Sequence, residues 1–225
     1  STQREFCEHY GLAHTKVSRV PIGVDLSRFG DPSSSTEARR RLLLPLEGPL
    51  LLYVGFSTPR KGVEYLAAAL RMMRTTPRLL MVGKWESGYR DRFIEALGGS
   101  ASQVIITGYV SDDELVDYYA AADVFVLPTL LEGFGIPLVE AMAAGLPIVT
   151  TTGGSAAEIV GDAGLSVPPA DSDALAQALD RVLLEPSLAA RLRLAGRKRA
   201  LSFERDRVSA QTESVLRSSW SKPKR

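Results

Sequence analysis

The sequence predicts an α/β fold built on a Rossmann-like, doubly wound parallel sheet, with further helices at the carboxyl end of the chain. Short apolar runs alternate with segments of helical periodicity, which is typical of consecutive strand–helix units. The runs show no apolar–polar alternation, so helices are expected to cover both faces of the sheet. A chain of 225 residues, 45% of them hydrophobic, can build one large domain or two small ones.

Six apolar runs are predicted to form the strands, and the last of them is expected at an edge of the sheet. The runs are Leu50–Val54, Leu79–Val82, Val104–Ile106, Val124–Leu127, Pro147–Val149 and Leu165–Val167. The helices predicted between them span residues 63–73, 89–97, 138–144 and 156–160. Another helix begins at a capping box formed by Ser111 and Glu114. Two more helices, the first capped by Asp171 or Ser172 and the second after Pro186, extend to about Trp220.

The part of the chain before the first apolar run is less regular. Residues 1–30 are predicted to contain a short polar helix, a strand at Val17–Val20 and a turn. The Pro/Ser-rich stretch from Asp31 to Thr36 is expected to be an exposed loop. Arg-rich residues 37–46 are expected to form a helix that Pro45 ends.

The charge balance argues against a nucleic-acid partner. Lys and Arg number 27 and Asp and Glu number 26, for a formal net charge of +1, whereas a protein that binds a phosphodiester backbone usually carries a broad basic excess. Basic residues cluster at 39–41, 197–199 and 222–225. These clusters are interpreted as solvated helix faces or a frayed terminus, and the alternative is peripheral association with a membrane surface.

The single cysteine and the distribution of apolar residues indicate in which cellular compartment the protein is expected. Cys7 has no partner for an internal disulfide, which agrees with a reducing compartment, and a cytoplasmic location is expected. No apolar run approaches the length of about 18 residues that spans a bilayer, and Ser1 opens no signal-peptide pattern. Because the chain begins without a methionine, it is expected to be a fragment of a longer protein.

The loops that follow the predicted strands are the places to search for a site, because ligands bind beyond the carboxyl ends of such strands. The first loop runs from Gly55 through Phe56 to Arg60, Lys61 and Gly62. Two cations at the start of a helix would attract a diphosphate, and the alternative is a surface helix with incidental charges. The glycine spacing fits neither a P-loop nor a dinucleotide fingerprint.

Three other loops have weaker signals. Gly83 ends the second strand, and Tyr109 with Val110 follows the third. An aromatic ring or a bare backbone edge there could contact a nucleotide base, although the local sequence favours the interpretation of Tyr109 as a packed loop residue. The Gly-rich turn at residues 151–158 could close on a ligand or serve only as a tight connection.

The strongest candidate is the stretch from Glu132 to Glu140. Pro137 fits the first turn of a helix, so the N–H groups of Gly135 and Ile136 would point at a bound anion. The helix dipole favours a phosphate at this position by about 0.3–1 kcal/mol. Glu132 precedes the helix and Glu140 lies about one turn inside it. The two carboxylates are therefore predicted to accept hydrogen bonds from hydroxyl groups on one ligand.

The sequence lacks the residues of several other chemistries. His9 and His14 are the only histidines and lie far from these loops, so no Ser–His–Asp arrangement is predicted. No carboxylate-rich loop indicates a divalent ion, and no metal or other cofactor is expected.

Residues 132–140 resemble the Glu–seven residues–Glu motif of the retaining family 4, or group 1, glycosyltransferases with the GT-B fold. The resemblance includes Gly55, Arg60–Gly62, Gly108–Val110, Ala122–Thr129 and Ala141–Val149. Pro21–Asp25 is similar to the family's inter-domain segment, where Asn commonly stands in place of Ile22. The similarity thus covers nearly the whole chain. It implies an inter-domain segment at residues 1–30, a nucleotide-sugar-binding domain at 31–200, and a terminal helix with a basic tail at 201–225.

The resemblance also implies roles for individual residues. Glu132 would hold hydroxyls of the donor sugar, Glu140 would hold the ribose, and Lys61 with Arg60 would neutralise the departing diphosphate. Glu132, Lys61 and Arg60 would form the catalytic set, with no metal required. The other expected donor-binding residues are Gly55, Phe56, Gly83, Tyr109, Val110, Gly133, Phe134, Gly135, Ile136 and Val139. The donor would be a nucleoside-diphosphate sugar, with UDP and GDP as the common nucleotides of the family.

Two departures from the family pattern limit these expectations. Phe56 stands where the family usually has Arg, so either Arg60 substitutes for it or diphosphate binding is weakened. The resemblance also implies an N-terminal domain that carries the acceptor site, and this chain is expected to begin after it, at the inter-domain segment. The chain alone is therefore expected to bind the donor without turnover. The alternative is a non-catalytic nucleotide-sugar-binding or regulatory module. Residues typical of an epimerase, a phosphorylase or a dehydrogenase are absent.

Overall fold

Residues 2–29 and 34–220 are described by the computed structural model, and within them a single parallel sheet of six strands forms the core. The strands are β1 (Leu50–Val54), β2 (Arg78–Val82), β3 (Val104–Gly108), β4 (Val124–Leu127), β5 (Ile148–Thr151) and β6 (Gly164–Val167). Their order is β3-β2-β1-β4-β5-β6, so β6 lies at an edge, as predicted. The chain changes direction of winding between β1 and β4, which is where ligands bind in sheets of this type.

Ten α-helices surround the sheet within the described residues. They are α1 (Thr2–Tyr10), α2 (Ser35–Arg41), α3 (Val63–Met72), α4 (Tyr89–Leu97), α5 (Asp112–Ala121), α6 (Ile136–Ala143), α7 (Ala156–Val160), α8 (Ser172–Leu184), α9 (Pro186–Ala200) and α10 (Arg205–Trp220). Helix α3 packs against α4 and α8, whereas α2 packs against α5 and α6 packs against α9. Right-handed crossovers place these two groups on opposite faces of the sheet. Among the described residues no helix combines the length and the apolar character needed to cross a membrane.

The central strands are buried on both faces, as the continuous apolar runs predicted. Every residue of β1, β4 and β5 is buried, whereas the residues of the edge strand β3 are only partly covered. Each buried aliphatic side chain contributes about 1.5–3 kcal/mol through removal of its surface from water. The centre of the sheet is therefore a rigid base from which the loops at the strand ends project.

Two predictions for the start of the chain are wrong. Val17–Val20 is not a strand: it follows a 3-10 helix at His14–Lys16 and pairs with no strand of the sheet. Alternating side chains favour a strand only where a neighbouring strand supplies backbone partners, and this segment has none. The helix predicted at residues 37–46 is α2, which begins earlier because the Ser34 side chain caps it, and which ends before Pro45. Residues 31–33 of the predicted loop lie outside the described part of the chain.

The interpretation of the basic cluster at residues 39–41 as a solvated face is wrong for Arg39. This side chain is only 5% exposed, and its Nη2 lies 2.8 Å from a carboxylate oxygen of Asp123. Its remaining N–H groups donate to backbone carbonyls, including those of Ala121 and Gly48. Complete hydrogen bonding of the guanidinium explains why this charge is tolerated in the interior. The cluster at residues 222–225 lies outside the described residues.

Candidate functional site

The predicted candidate loops meet at one edge of the sheet, because the carboxyl ends of parallel strands lie together. The loops after β1 and β2 are joined by a hydrogen bond from the Ser57 N–H to the Lys84 carbonyl, 2.8 Å long. Gly83 is required for this approach, since a Cβ atom at that position would lie 2.1 Å from the carbonyl oxygen of Gly55. The loop backbones are thus held in one arrangement before any ligand binds.

A cavity of about 310 Å³ opens between the ends of β1, β2 and β3 and the start of α5. Its lining is mainly apolar and includes Gly55, Phe56, Gly83, Lys84, Tyr109, Val110, Asp112 and Leu115. Tyr109 is 71% exposed at the rim, so it is not a packed loop residue. The Nζ of Lys84 lies 5.1 Å from the centre of the Tyr109 ring. An apolar cavity with an aromatic rim suits a planar ring such as a nucleobase.

A second group of residues gathers around the carboxylate of Glu132. The Nζ of Lys61 lies 2.5 Å from Oε2, and the guanidinium of Arg60 lies 3.8 Å from Oε1. The Gly133 N–H donates to Oε1 at 3.0 Å. Lys61 and Glu132 are buried, with 9% and 8% exposure, whereas Arg60 is about half exposed. Two cations thus accompany one carboxylate, and the surplus positive charge favours an anion at this place.

The start of helix α6 adds backbone donors beside this carboxylate. Gly135 precedes the helix with φ of 90°, a conformation that favours glycine, and a Cβ there would lie 2.8 Å from Cδ1 of Leu138. Within the described residues, the backbone N–H groups of Gly135 and Ile136 donate no hydrogen bond. Pro137 in the first turn has no N–H to satisfy. The exposed N–H groups and the helix dipole together create an anion-binding position.

The Gly-rich turn at residues 151–158 supports the Glu132 loop. The Ser155 hydroxyl lies 3.2 Å, 2.9 Å and 3.3 Å from the carbonyl oxygens of Glu132, Gly133 and Phe134, respectively. The Ser155 N–H also donates to the Glu132 carbonyl at 3.0 Å, and the Glu132 N–H donates to the Gly153 carbonyl at 3.2 Å. Of the two interpretations from the sequence, the tight connection therefore describes this turn.

Glu140 lies half-buried on α6 and is supported by residues that the sequence did not single out. Its Oε2 accepts a hydrogen bond of 2.8 Å from the Tyr119 hydroxyl. Burial raises the pKa of Glu140, and the negative charge of Asp112 adds to the rise, whereas the Tyr119 hydrogen bond and the positive charge of Arg28 oppose it. Asp112 and Tyr119 are seven positions apart, which places them on one face of α5.

The family of the chain follows from comparison with known proteins. Residues 34–199 match the model of the family described as Glycosyl transferases group 1. The chain belongs to this family. The recognition of group 1 glycosyltransferase motifs in the sequence is thereby confirmed.

Two curated relatives show the extent of the similarity. D-inositol 3-phosphate glycosyltransferase of Acidothermus cellulolyticus is 35% identical over 218 residues, which cover 90% of this chain and 48% of that protein. GDP-mannose-dependent alpha-(1-6)-phosphatidylinositol monomannoside mannosyltransferase of Mycobacterium tuberculosis is 33% identical over an alignment 230 residues long, gaps included, which covers 96% of this chain and 59% of that protein. This group 1 glycosyltransferase chain spans about half the length of the curated relatives that it matches.

A solved structure confirms the fold of the glycosyltransferase chain. Sucrose-phosphate synthase from Thermosynechococcus elongatus superimposes with a TM-score of 0.83 at 33% sequence identity, and the match covers 98% of this chain and 57% of that one. The Rossmann-like parallel sheet predicted from the apolar runs is therefore the sheet of a known glycosyltransferase architecture.

Most of the predicted donor-binding residues of this group 1 glycosyltransferase lie at the cavity or around Glu132. Val139 does not, because its side chain is fully buried in the core. Phe134 packs its ring edge-on against Phe203, with the ring centres 5.8 Å apart. No cluster of His, Cys, Asp and Glu in the described ranges could hold a metal ion. The expectation that no metal is required stays a prediction.

Proposed function

We propose that this chain is the donor-binding part of a retaining, metal-independent glycosyltransferase that uses a nucleoside-diphosphate sugar. The observation that carries the proposal is the closeness of two groups of residues at one edge of the sheet. The strand order places the apolar cavity, at the ends of β1, β2 and β3, next to the group after β4, which contains the uncapped start of α6, two cations and the Glu132 carboxylate. The cavity would take the base, and the second group would take the diphosphate and the sugar. The name of the mycobacterial relative, which specifies GDP-mannose, supports a donor of this class.

Charge supports the assignment of the diphosphate position. The Lys61 ammonium and the Arg60 guanidinium both lie beside Glu132, and in this proposal Arg60 would substitute for the cation that Phe56 does not supply. These two side chains would supply the positive charge that a divalent metal supplies in other transferases. As the bond to the sugar breaks, negative charge develops on the departing diphosphate, and the fixed cations and the α6 N–H groups stabilise it.

Glu132 retains acceptor capacity for a sugar despite its partners. A carboxylate offers about four lone-pair positions, and Lys61, with the Gly133 N–H, uses two of them. A donor sugar held there would present its anomeric carbon to an acceptor bound on another domain, and attack on the same face as the leaving group would retain the configuration. We infer that the chain alone binds the donor without turnover, because its relatives are about twice as long.

Calorimetric titration with UDP, GDP and their sugar conjugates tests the proposal. The Glu132→Ala and Glu132→Gln variants should lose more affinity for the sugar nucleotide than for the bare nucleotide, because only the sugar contacts this carboxylate. Glu95→Ala, on the exposed surface of α4, is the matched control and should leave both affinities unchanged. Equal losses for sugar nucleotide and nucleotide would contradict the role of Glu132, and the absence of any binding by the wild-type chain would overturn the proposal.

The second candidate is a nucleotide-sugar-binding module without catalytic function. Phe56 favours it, because the family usually places an Arg at this position and the loop here has one cation fewer. Joining the chain to an acceptor domain from a relative distinguishes the two candidates. Sugar transfer by the joined protein, lost on Lys61→Met substitution, supports catalysis, and donor binding without transfer supports the module.

A further inference from the structure

A buried threonine joins the loop after β1 to the loop after β4. The Thr129 side chain is fully buried, and its hydroxyl donates to the carbonyl oxygen of Arg60 at 3.2 Å. The Leu130 N–H donates to the same carbonyl oxygen at 2.9 Å. Two donors from neighbouring residues of one loop therefore hold one peptide group of the other loop, and this peptide group links Arg60 to Lys61.

The Arg60–Lys61 turn contacts the loop after β4 at further points. The Arg60 guanidinium donates to the Leu131 carbonyl at 2.5 Å, and the Lys61 Nζ lies 2.5 Å from Oε2 of Glu132. The backbones approach so closely that a Cβ atom at Gly62 would lie 2.4 Å from a carbonyl oxygen of that loop. Because both cations belong to one turn, a movement of the turn would displace them together relative to the carboxylate.

The loop after β5 supports Thr129 in turn. The hydroxyl of Thr151, a side chain with 2% exposure, donates to the Thr129 carbonyl, and it accepts a hydrogen bond of 3.2 Å from the Gly153 N–H. A Cβ atom at Gly153 would lie 2.6 Å from the Thr129 carbonyl oxygen, so the two loops are in direct backbone contact. Removal of a buried hydroxyl leaves its former partner without a hydrogen bond, which is unfavourable. The hydrogen bonds thus form a continuous series from β5 to the Arg60 carbonyl.

We propose that Thr129 is a positioning residue that fixes the Arg60–Lys61 turn for a diphosphate ligand. The proposal rests on the proposed function, which places the diphosphate at these two cations. Because the Thr129 side chain is inaccessible to solvent, it acts on the ligand only through the turn. Charge alone attracts any phosphate, whereas two cations held in a fixed arrangement favour a ligand whose phosphates match their spacing. Thr129 therefore strengthens the preference for a nucleoside diphosphate over the corresponding monophosphate.

The structural part is testable without any ligand, because the chain contains a matched threonine. Thr150 is also fully buried, and its hydroxyl donates to the Leu127 carbonyl at 2.8 Å inside the sheet. Thr129→Val and Thr150→Val each remove one buried hydroxyl and keep the shape of the side chain. Hydrogen exchange of the Leu130 N–H, followed by NMR, should be about 3- to 10-fold faster in Thr129→Val than in Thr150→Val, and Thr129→Ser should restore slow exchange. Equal exchange rates in the two valine variants would overturn the proposal.

The recognition part is tested by calorimetric titration of the 225-residue chain with UDP and UMP and with GDP and GMP. Thr129→Val should reduce the ratio of diphosphate to monophosphate affinity at least about threefold, because the cations are no longer held at one spacing. Thr151→Val should change the ratio in the same direction, since it acts through Thr129. Thr150→Val should leave the ratio unchanged, and Thr129→Ser should restore it. A thermal melt of each variant confirms that it is folded.

The outcomes separate this proposal from the proposed function. If neither UDP nor GDP binds the wild-type chain, the proposed function fails and the ligand part of the inference fails with it, whereas hydrogen exchange still decides whether Thr129 holds the turn. If the diphosphates bind but Thr129→Val lowers the affinities for diphosphate and monophosphate by the same factor, the positioning role is wrong. An equal fall of the ratio in Thr129→Val and Thr150→Val would also contradict it, because any buried hydroxyl would then have the same effect.

Discussion

Replacement of one partner in the Lys61–Glu132 pair should destabilise the chain more than replacement of both. Lys61→Met and Glu132→Met each remove a charge and keep the length of the side chain. Because the two side chains are 11% and 7% exposed, each single substitution leaves a poorly solvated charge behind. Removal of one member of a buried pair costs about 3–5 kcal/mol, whereas replacement of both by apolar residues is often neutral.

The size of each effect depends on Arg60. After Lys61→Met, Glu132 keeps the Arg60 guanidinium at 3.8 Å, so we expect a loss of about 2 kcal/mol in the free energy of unfolding. After Glu132→Met, Lys61 and Arg60 face each other without a carboxylate, and the loss should reach about 3 kcal/mol or more. The double variant should lose about 1 kcal/mol or less, which gives a coupling energy of at least about 4 kcal/mol in magnitude.

Urea denaturation of the four proteins in this cycle measures the coupling. The pair Arg181–Glu185 on α8 is the matched control, because its side chains are 54% and 48% exposed and its coupling should stay below about 0.5 kcal/mol. A coupling for Lys61–Glu132 no larger than this control would refute the reasoning. A greater loss for Lys61→Met than for Glu132→Met would also contradict it, because Arg60 would then give Glu132 no support.

Three further predictions concern single residues. Gly135→Ala should lower the free energy of unfolding, measured by urea denaturation, by about 1–3 kcal/mol, because a residue with a Cβ would have to adopt a left-handed backbone conformation close to Leu138. An unchanged free energy would show that the loop rearranges. Tyr53→Phe should raise the melting temperature by about 2–4 °C for each kcal/mol of stability gained. No described residue meets the buried Tyr53 hydroxyl in good hydrogen-bond geometry, although the Ser57 side chain opposes the rise in its pKa that burial causes, so a fall in the melting temperature would show that the Ser57 contact stabilises the fold. Folding raises the pKa of Glu140 above its ordinary value of 4.5, so the folded chain binds the proton of this carboxyl more tightly than the unfolded chain does. The stability that results is fully present below about pH 4.5 and is lost as the pH rises through the pKa of the folded chain. The stability of Glu140→Gln relative to wild type should therefore increase from about pH 4.5 to pH 7, and a constant difference would exclude this linkage.

The sheet was predictable because its strands are buried on both faces. Runs such as Leu50–Val54 carry a strong signal, since a strand covered by helices on both sides excludes polar residues. The error at Val17–Val20 arose because an alternation of apolar and polar side chains does not show whether a neighbouring strand is present to pair with the segment. The error at Arg39 has a similar origin: its partner Asp123 lies 84 positions away, and a local pattern of charges cannot show it.

The candidate site was predictable where glycines, cations and carboxylates stand close together in the sequence. The residues from Glu132 to Glu140 and the pair Arg60–Lys61 are of this kind. Their support was not visible, because the Ser155 hydroxyl and the Tyr119 hydroxyl act through contacts that form only in the folded chain. Such supporting residues have no characteristic sequence signal of their own.

The rings of Phe29 and Tyr119 pack edge-on with their centres 5.4 Å apart, and this contact has a consequence for any attempt to divide the protein into independent pieces. The family model matches from residue 34 onward, and a shortened chain that begins there would contain every strand of the sheet. It would nevertheless expose one side of the Tyr119 ring to water and remove Arg28, whose positive charge opposes the rise in the pKa of Glu140. We expect such a chain to keep the sheet and to lose the packing that supports the Tyr119–Glu140 hydrogen bond, so the part of the chain that forms the sheet is smaller than the part that holds Glu140 in place.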